Sequence, residues 1–504
     1  MTTLTNRHVA NVTYFALLNF LLNFQIKKES IPMTMQASSM NIPRVASLPV
    51  LGWRGQVMDF ARDSVGFLIR VHDQYGKMAR LGEGKMSATF TFHPDFTMQI
   101  LSNPKLFYSF TLEDIPFPFS DIEALKSMTT ALAMLNGEQH KRQRRLMAPA
   151  FHANYLPIYV DQIRDIVNKF FVHWKTGDIV NIYDAMDLFT IHLSMEIFVG
   201  MEADEEGRRF AHLFETVLRL LFYPPTFLLP YDLPGLPYRR LRVQGTILEK
   251  QLKDLIQRRR EKGLGGTDSL SMFLQAHDED GSMMTDNEIV GETVAVFRGG
   301  SKTSAGALSW TLYLLSQHPE IYSRLMDELA GTLRGAAPTY EQLNQLPLLE
   351  GVIKESLRLV PPVVFGVRYS MEPFEMGGYS FAKDSSVIYS SHITHRMPEL
   401  YKDPHRFDPY RWETLKPSPY EYFPFNAGPR RCLGAEFAMM ELKITLAILL
   451  QRYRFHLIPG QRIDRMGLTG SIPKQGIQMR IDSLDSGFSR ADVTGTVNTF
   501  LPVK

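Results

Sequence analysis

Cysteine is nearly absent: the 504-residue chain has one. A single cysteine excludes an intrachain disulfide and any zinc site built from several cysteines, so folding needs no oxidising compartment. That fits a cytoplasmic protein, or one associated with a membrane on its cytoplasmic side. A charge excess is missing too. Lys+Arg number 55 and Asp+Glu 53, and the resulting +2 provides no field that would gather nucleic acid. No internal repeat occurs, and no P-loop, flavin-binding or ferredoxin-like segment. Long hydrophobic runs are also scarce. The best, "VTYFALLNFLLNFQIKK" (12–28), is interrupted by Asn19 and Asn23. A membrane-spanning helix needs roughly 20 apolar residues, so this run is short for that job. It lacks the basic start and small-residue cleavage site of a signal peptide. A weak anchor, an interfacial segment and an extension ahead of a later start at Met33, Met35 or Met40 all stay open.

What is present reads as a packed protein, with 44% hydrophobic and 21% charged residues. Residues 1–40 form an N-terminal extension, 41–482 one mainly α-helical domain with small β regions, and 483–504 a loose polar tail. Alternation around a glycine turn in "KMARLGEGKMSATFTFH" (77–93) predicts a hairpin, and a second strand region falls in 376–392. Helical periodicity dominates 137–330. Its clearest helix opens at a capping box, Thr285 with Glu288, and runs to the residue before Pro319. A helix so long and so apolar is expected to be central and buried.

The lone cysteine lies in "PFNAGPRRCLGAEFAMMELK" (424–443), in the frame Phe425-x-x-Gly428-x-Arg430-x-Cys432-x-Gly434. Five fixed residues make a chance match on the order of 10⁻⁷ per start position. The glycines let the backbone approach closely and turn N–H groups inward. A cysteine at a helix start is poised as a thiolate. A thiolate with backbone donors, an aromatic neighbour and an arginine two residues before suits an axial haem ligand, the arginine pairing with a propionate. The plainer alternative is a buried structural cysteine in a glycine-rich turn.

This frame resembles the haem-binding loop of the cytochrome P450 superfamily, and further motifs follow in the family's order. "GVIKESLRLVPP" places Glu355 and Arg358 on one helix face. "DPHRFDPYRWE" supplies Arg411 in a P-x-R-aromatic element. The resemblance implies that Glu355, Arg358 and Arg411 form a structural charge cluster around the cofactor, heme b. It also implies that His140 and Arg144, in "GEQHKRQRRLMAPAF", and Arg368, in "PPVVFGVRYS", reach haem propionates. The likeness covers roughly residues 40–480.

One position departs from the pattern. In "FRGGSKTSAGA" (297–307), Gly299, Gly300, Thr303 and Ser304 fit, but Lys302 stands where the family carries an acid. Thr303 can hydrogen-bond back to the carbonyl of Gly299 and open an oxygen-binding groove. Lysine holds its proton far more tightly than a carboxylic acid. Lys302 could point away from the pocket, pair with a substrate carboxylate, mark peroxide-driven chemistry, or simply line a distal wall.

The resemblance implies a haem-thiolate monooxygenase that inserts one atom of dioxygen into a lipophilic small molecule. The rivals are a peroxygenase, a haem-thiolate isomerase or dehydratase, and a non-catalytic haem sensor. The apolar stretches 214–240 and 110–126 are expected to form the lid and wall of the pocket, and 214–240 also suggests peripheral membrane contact. Fatty acids, terpenoids and polyketide-like molecules all remain open. Electrons would come from a separate ferredoxin or flavoprotein reductase, with Arg142, Arg145 and Arg431 as a basic docking face.

Overall fold

The computed structural model describes residues 52–82, 87–109, 127, 130–152, 154–202, 204–221, 223, 225–226, 229–263 and 265–501. The apolar run 12–28 and the whole aromatic stretch 110–126 lie outside the described residues. No described helix is long and apolar enough to cross a membrane.

The predicted long helix spans Asp286–Gln317. At 1.5 Å per residue its 32 residues reach about 48 Å, so it crosses the whole fold. Its capping box forms as the sequence predicts: Glu288 N–H donates to Thr285 Oγ1 at 3.3 Å, and Thr285 N–H to Glu288 Oε2 at 2.7 Å. From Ser304 to Gln317 every residue is buried, because this half is enclosed on all sides. It packs on the helices Ile182–Ser194, Pro347–Leu359 and Ala435–Leu450. The first half instead packs through Ile289, Val290, Val294 and Phe297 into a second core shared with the helices Glu205–Leu221 and Pro237–Lys262.

The main sheet contains β1 (Met78–Leu81), β2 (Ala88–Thr91), β3 (Phe107–Tyr108), β4 (Gly366–Ser370) and β5 (Ser386–Tyr389), in spatial order β1-β2-β5-β4-β3. The predicted hairpin is β1 with β2, antiparallel, Met78 opposite Thr91. Only the β2–β5 pair is parallel, Thr89 opposite Val387. The predicted 376–392 strands are a hairpin of Phe374–Met376 with Tyr379–Phe381, followed by β5.

The end of the chain differs from expectation. Val497, Phe500 and Leu501 are buried, and the Phe500 ring meets Trp310 of the central helix at 5.5 Å. Arg396 donates to the Phe500 carbonyl at 3.1 Å, and Ile463 N–H to the Thr494 carbonyl at 2.8 Å. A few apolar side chains in a polar stretch are enough to dock it, since Phe500 packs on Trp310 of the central helix.

Candidate active site

The cysteine loop is shaped by backbone constraints. Gly428 has φ +67°, and a Cβ there would lie 2.2 Å from the Leu101 carbonyl oxygen, so only glycine fits. Cys432 N–H closes the loop on the Phe425 carbonyl at 2.8 Å, while Phe425 packs against the core. Gly434 is less constrained than expected, since a Cβ there would meet only Phe151, at an ordinary 3.6 Å. What it contributes is a backbone N–H aimed at the thiol.

Cys432 lies just before the helix Ala435–Leu450. It keeps exposed surface although protein surrounds it on most sides. The expectation that the helix start alone poises a thiolate needs correction. Burial raises the thiol pKa, and it outweighs the Gly434 N–H, Arg431 and Arg144, which act the other way.

Beside the thiol the chain gathers positive charge. Arg144 feels both Cys432 and Arg431, and burial lowers its pKa. His140 is pushed down to about 4, first by burial, then by Arg430, Arg144 and Arg368. Burial, with Arg368 and Arg144, lowers Arg430 to about 10. The hydrogen bonds of these arginines run to neutral groups. Arg430 Nη2 donates to the Leu135 carbonyl and, at 2.6 Å, to Asn136 Oδ1. Arg368 donates to the Val367 carbonyl at 2.8 Å and lies over the Tyr389 ring. Among the described residues, no carboxylate pairs with Arg144, Arg368 or Arg430. Three guanidiniums around a neutral histidine fit a ligand that brings two carboxylates of its own, as a haem does, with the sulfur of Cys432 alongside for its iron.

The predicted charge cluster is assembled and closed. Glu355 and Arg358 have no exposed side-chain surface, and Arg358 Nε and Nη2 donate to the two Glu355 oxygens at 2.9 and 2.8 Å. Arg411 Nε, Trp412 Nε1 and Asp408 N–H also donate to Glu355, at 3.0, 3.1 and 3.0 Å.

On the central helix, Thr303 Oγ1 donates to the Gly299 carbonyl at 2.5 Å, as the sequence predicts. A Cβ at Gly299 would meet nothing within 4 Å, so Gly299 fronts open space. Gly300 does not. A Cβ there would lie 2.6 Å from Phe198, so this glycine serves helix packing. Lys302 is already satisfied: its ammonium meets Asp187 at 2.5 Å and Glu215 at 3.2 Å. Burial would lower its pKa, but the two carboxylates outweigh burial and raise it. It therefore offers no free ammonium to a substrate carboxylate, and it is a poor proton donor.

Arg142, Arg145 and Arg431 are likewise neutralised within the chain. Arg142 pairs with Glu288 at 2.9 Å, Arg145 with Asp278 at 3.0 Å and Arg431 with Glu436 at 2.8 Å. The expected basic docking face is thus largely cancelled. Sequence reasoning missed Glu441. It is 1% exposed and accepts from Ser304 Oγ at 2.8 Å, and burial raises its pKa to about 8. An acid inside the apolar run "AEFAMMELKITLAILL" was the available signal.

Comparison with known proteins agrees with this geometry. A family model described as cytochrome P450 matches residues 43–480. Cyclooctat-9-en-7-ol 5-monooxygenase of Streptomyces melanosporofaciens is 29% identical over 423 residues, 82% of this chain and 89% of that protein. Pentalenene oxygenase of Streptomyces avermitilis is 28% identical over 448 residues, 88% and 97% of the two chains. Among solved structures, retinoic-acid-bound cyanobacterial CYP120A1 superposes with a TM-score of 0.74 at 26% identity, covering 88% of this chain and 99% of that one.

Proposed function

The chain belongs to the cytochrome P450 family and is a monooxygenase; from that premise we propose that it oxidises a neutral, lipophilic terpenoid, using electrons from a separate ferredoxin or flavoprotein. When bound, the haem supplies the oxygen-activating iron. The chain's own residues do the rest. Cys432 would ligate the iron, giving up a thiol proton that burial otherwise holds in place. Arg144, Arg368 and Arg430 would take the propionates, with neutral His140 among them. The Thr303 hydroxyl, held on the Gly299 carbonyl, stands beside open space, where it can hold or pass on a proton. Ser304, one residue on, ties this stretch to the cysteine helix through Glu441.

The carrying observation for the cofactor is the convergence beside Cys432 of three guanidiniums that pair with no carboxylate among the described residues. For the substrate it is the locked Lys302. Its Asp187 and Glu215 partners remove the one feature that favoured an acidic substrate or peroxide-driven chemistry. The names of the terpenoid-oxidising relatives support the same class.

Optical titration of the ferric protein tests this, because a ligand displacing iron-bound water shifts the haem spin state. Neutral terpenes and terpenoid alcohols should give saturable shifts, and fatty acids weaker ones. Saturation by free fatty acids but not by their methyl esters would overturn the substrate class. A Cys432→Ser protein that kept the thiolate spectrum would overturn the ligand assignment.

A further inference from the structure

Glu292 has no part in the chemistry above, yet it is among the most enclosed groups in the fold, with no exposed surface. It sits in the first half of the central helix, and its Oε1 accepts the Leu132 backbone N–H at 2.5 Å. Leu132 begins a single tight turn, Leu132–Met134. Directly after that turn come the Leu135 carbonyl and the Asn136 side chain, the two acceptors that aim Arg430. Asn136 is fixed from its other side by a two-way exchange with Ser109, at 2.9 and 3.0 Å. The acceptor pair for Arg430 is therefore pinned at one end by β3's neighbour Ser109 and at the other by Glu292.

The Gln143 side chain lies near enough to act on the Glu292 carboxyl and lower its pKa, although neither makes a hydrogen bond to the other within normal geometry. Gln143 belongs to the helix Gly137–Met147, which carries His140 and Arg144. One carboxyl is thus bonded to the turn and acted on by the helix, the two segments that present cations to the cofactor.

We propose that Glu292 is a positioning residue: it fixes the 132–136 turn, and through that turn the aim of Arg430 at the anionic edge of the cofactor. This rests on the haem reading of the site. The charged groups around Glu292 are few. Glu288 lies one turn earlier on the same helix and is paired with Arg142 of the helix Gly137–Met147; the turn at 132–136 brings no charge. Burial, with Glu288 adding to it, raises Glu292 to about 8, so the carboxyl is neutral at pH 7 and can lie against Gln143 without a counter-ion.

The test compares E292Q, which keeps an acceptor for Leu132, with E292L, which keeps bulk and removes it. Two quantities are read: hydrogen-exchange protection of the Leu132 amide, with and without haem, and the rate of haem transfer from the loaded protein to apomyoglobin. Losing one buried acceptor corresponds to about 10-fold. E292L should lower Leu132 protection and speed haem transfer by about that factor at pH 7, and E292Q should restore both. Unchanged Leu132 protection in E292L overturns the anchor. Lost protection with a wild-type transfer rate overturns its link to Arg430. If E292L fails to fold, a wild-type Leu132 amide no better protected than one without an acceptor overturns the anchor. A wild-type protein that holds no haem sinks the reading of the site itself, a failure separable from these because the haem-free Leu132 signal still reports on Glu292.

Discussion

Two of the arginine clusters among the described residues are opposites. Around Glu355 every charge is answered: one carboxylate receives donors from Arg358, Arg411, Trp412 and Asp408, and Arg358 spends its remaining N–H groups on the carbonyls of His395, Pro404 and Arg406. Around His140, Arg144, Arg368 and Arg430 repel one another, and no acid among the described residues pairs with them. A closed cluster holds a fold together. An open one waits for a ligand, and tolerates mutual repulsion because that ligand relieves it.

The contrast breaks most severely at its closed end. Glu355→Ala would strand two buried guanidiniums, and removing one partner of a buried pair costs about 3–5 kcal/mol. Denaturant unfolding should show a loss of that size with or without haem; a haem-free protein of unchanged stability would contradict the closed reading. The open cluster should behave in reverse. Arg368→Ala should leave haem-free stability within about 1 kcal/mol, because no ion pair is lost, yet release haem about 10-fold faster, as expected for a hydrogen bond to a charged group. Equal effects on both readouts would erase the distinction. His140→Glu sharpens it further by giving the three arginines an internal counter-ion. The haem-free protein should gain about 1 kcal/mol, and haem affinity should fall, because the site would no longer lack an anion.

The smallest effect is one of pH. The folded value of His140, about 4, lies below its ordinary 6.5. Between these values the unfolded chain binds a proton that the folded chain refuses, so haem-free stability falls as pH drops from 6.5 to about 4. Propionates beside His140 would raise its pKa again, so this slope should flatten in the loaded protein. Thermal unfolding of both forms across that range measures it.

Much of this was legible in the sequence where neighbours in the chain do the work. The cysteine loop, the capping box at Thr285, the Thr303 bond to Gly299 and the Glu355–Arg358 pair all join residues within a turn or a short loop. Contacts between distant segments left no local trace. Lys302 meets Asp187 and Glu215, Ser304 meets Glu441, and Leu132 meets Glu292, each across a large separation in sequence. Lys302 looked anomalous because its position favours an acid, whereas here the acids come from two neighbouring helices. Gly300 fitted the motif for a different reason from the one expected, contact with Phe198. The tail misled because its average composition hid three well-spaced apolar side chains.

The docking of Phe500 on Trp310 bears on how the protein is made. Trp310 leaves the ribosome long before residue 500, so the central helix spends much of synthesis with an apolar flank uncovered. Completion of this flank is tied to the stretch around residue 500. A chain interrupted before residue 500, even one carrying every cofactor-facing side chain, would present that flank to chaperones and proteases.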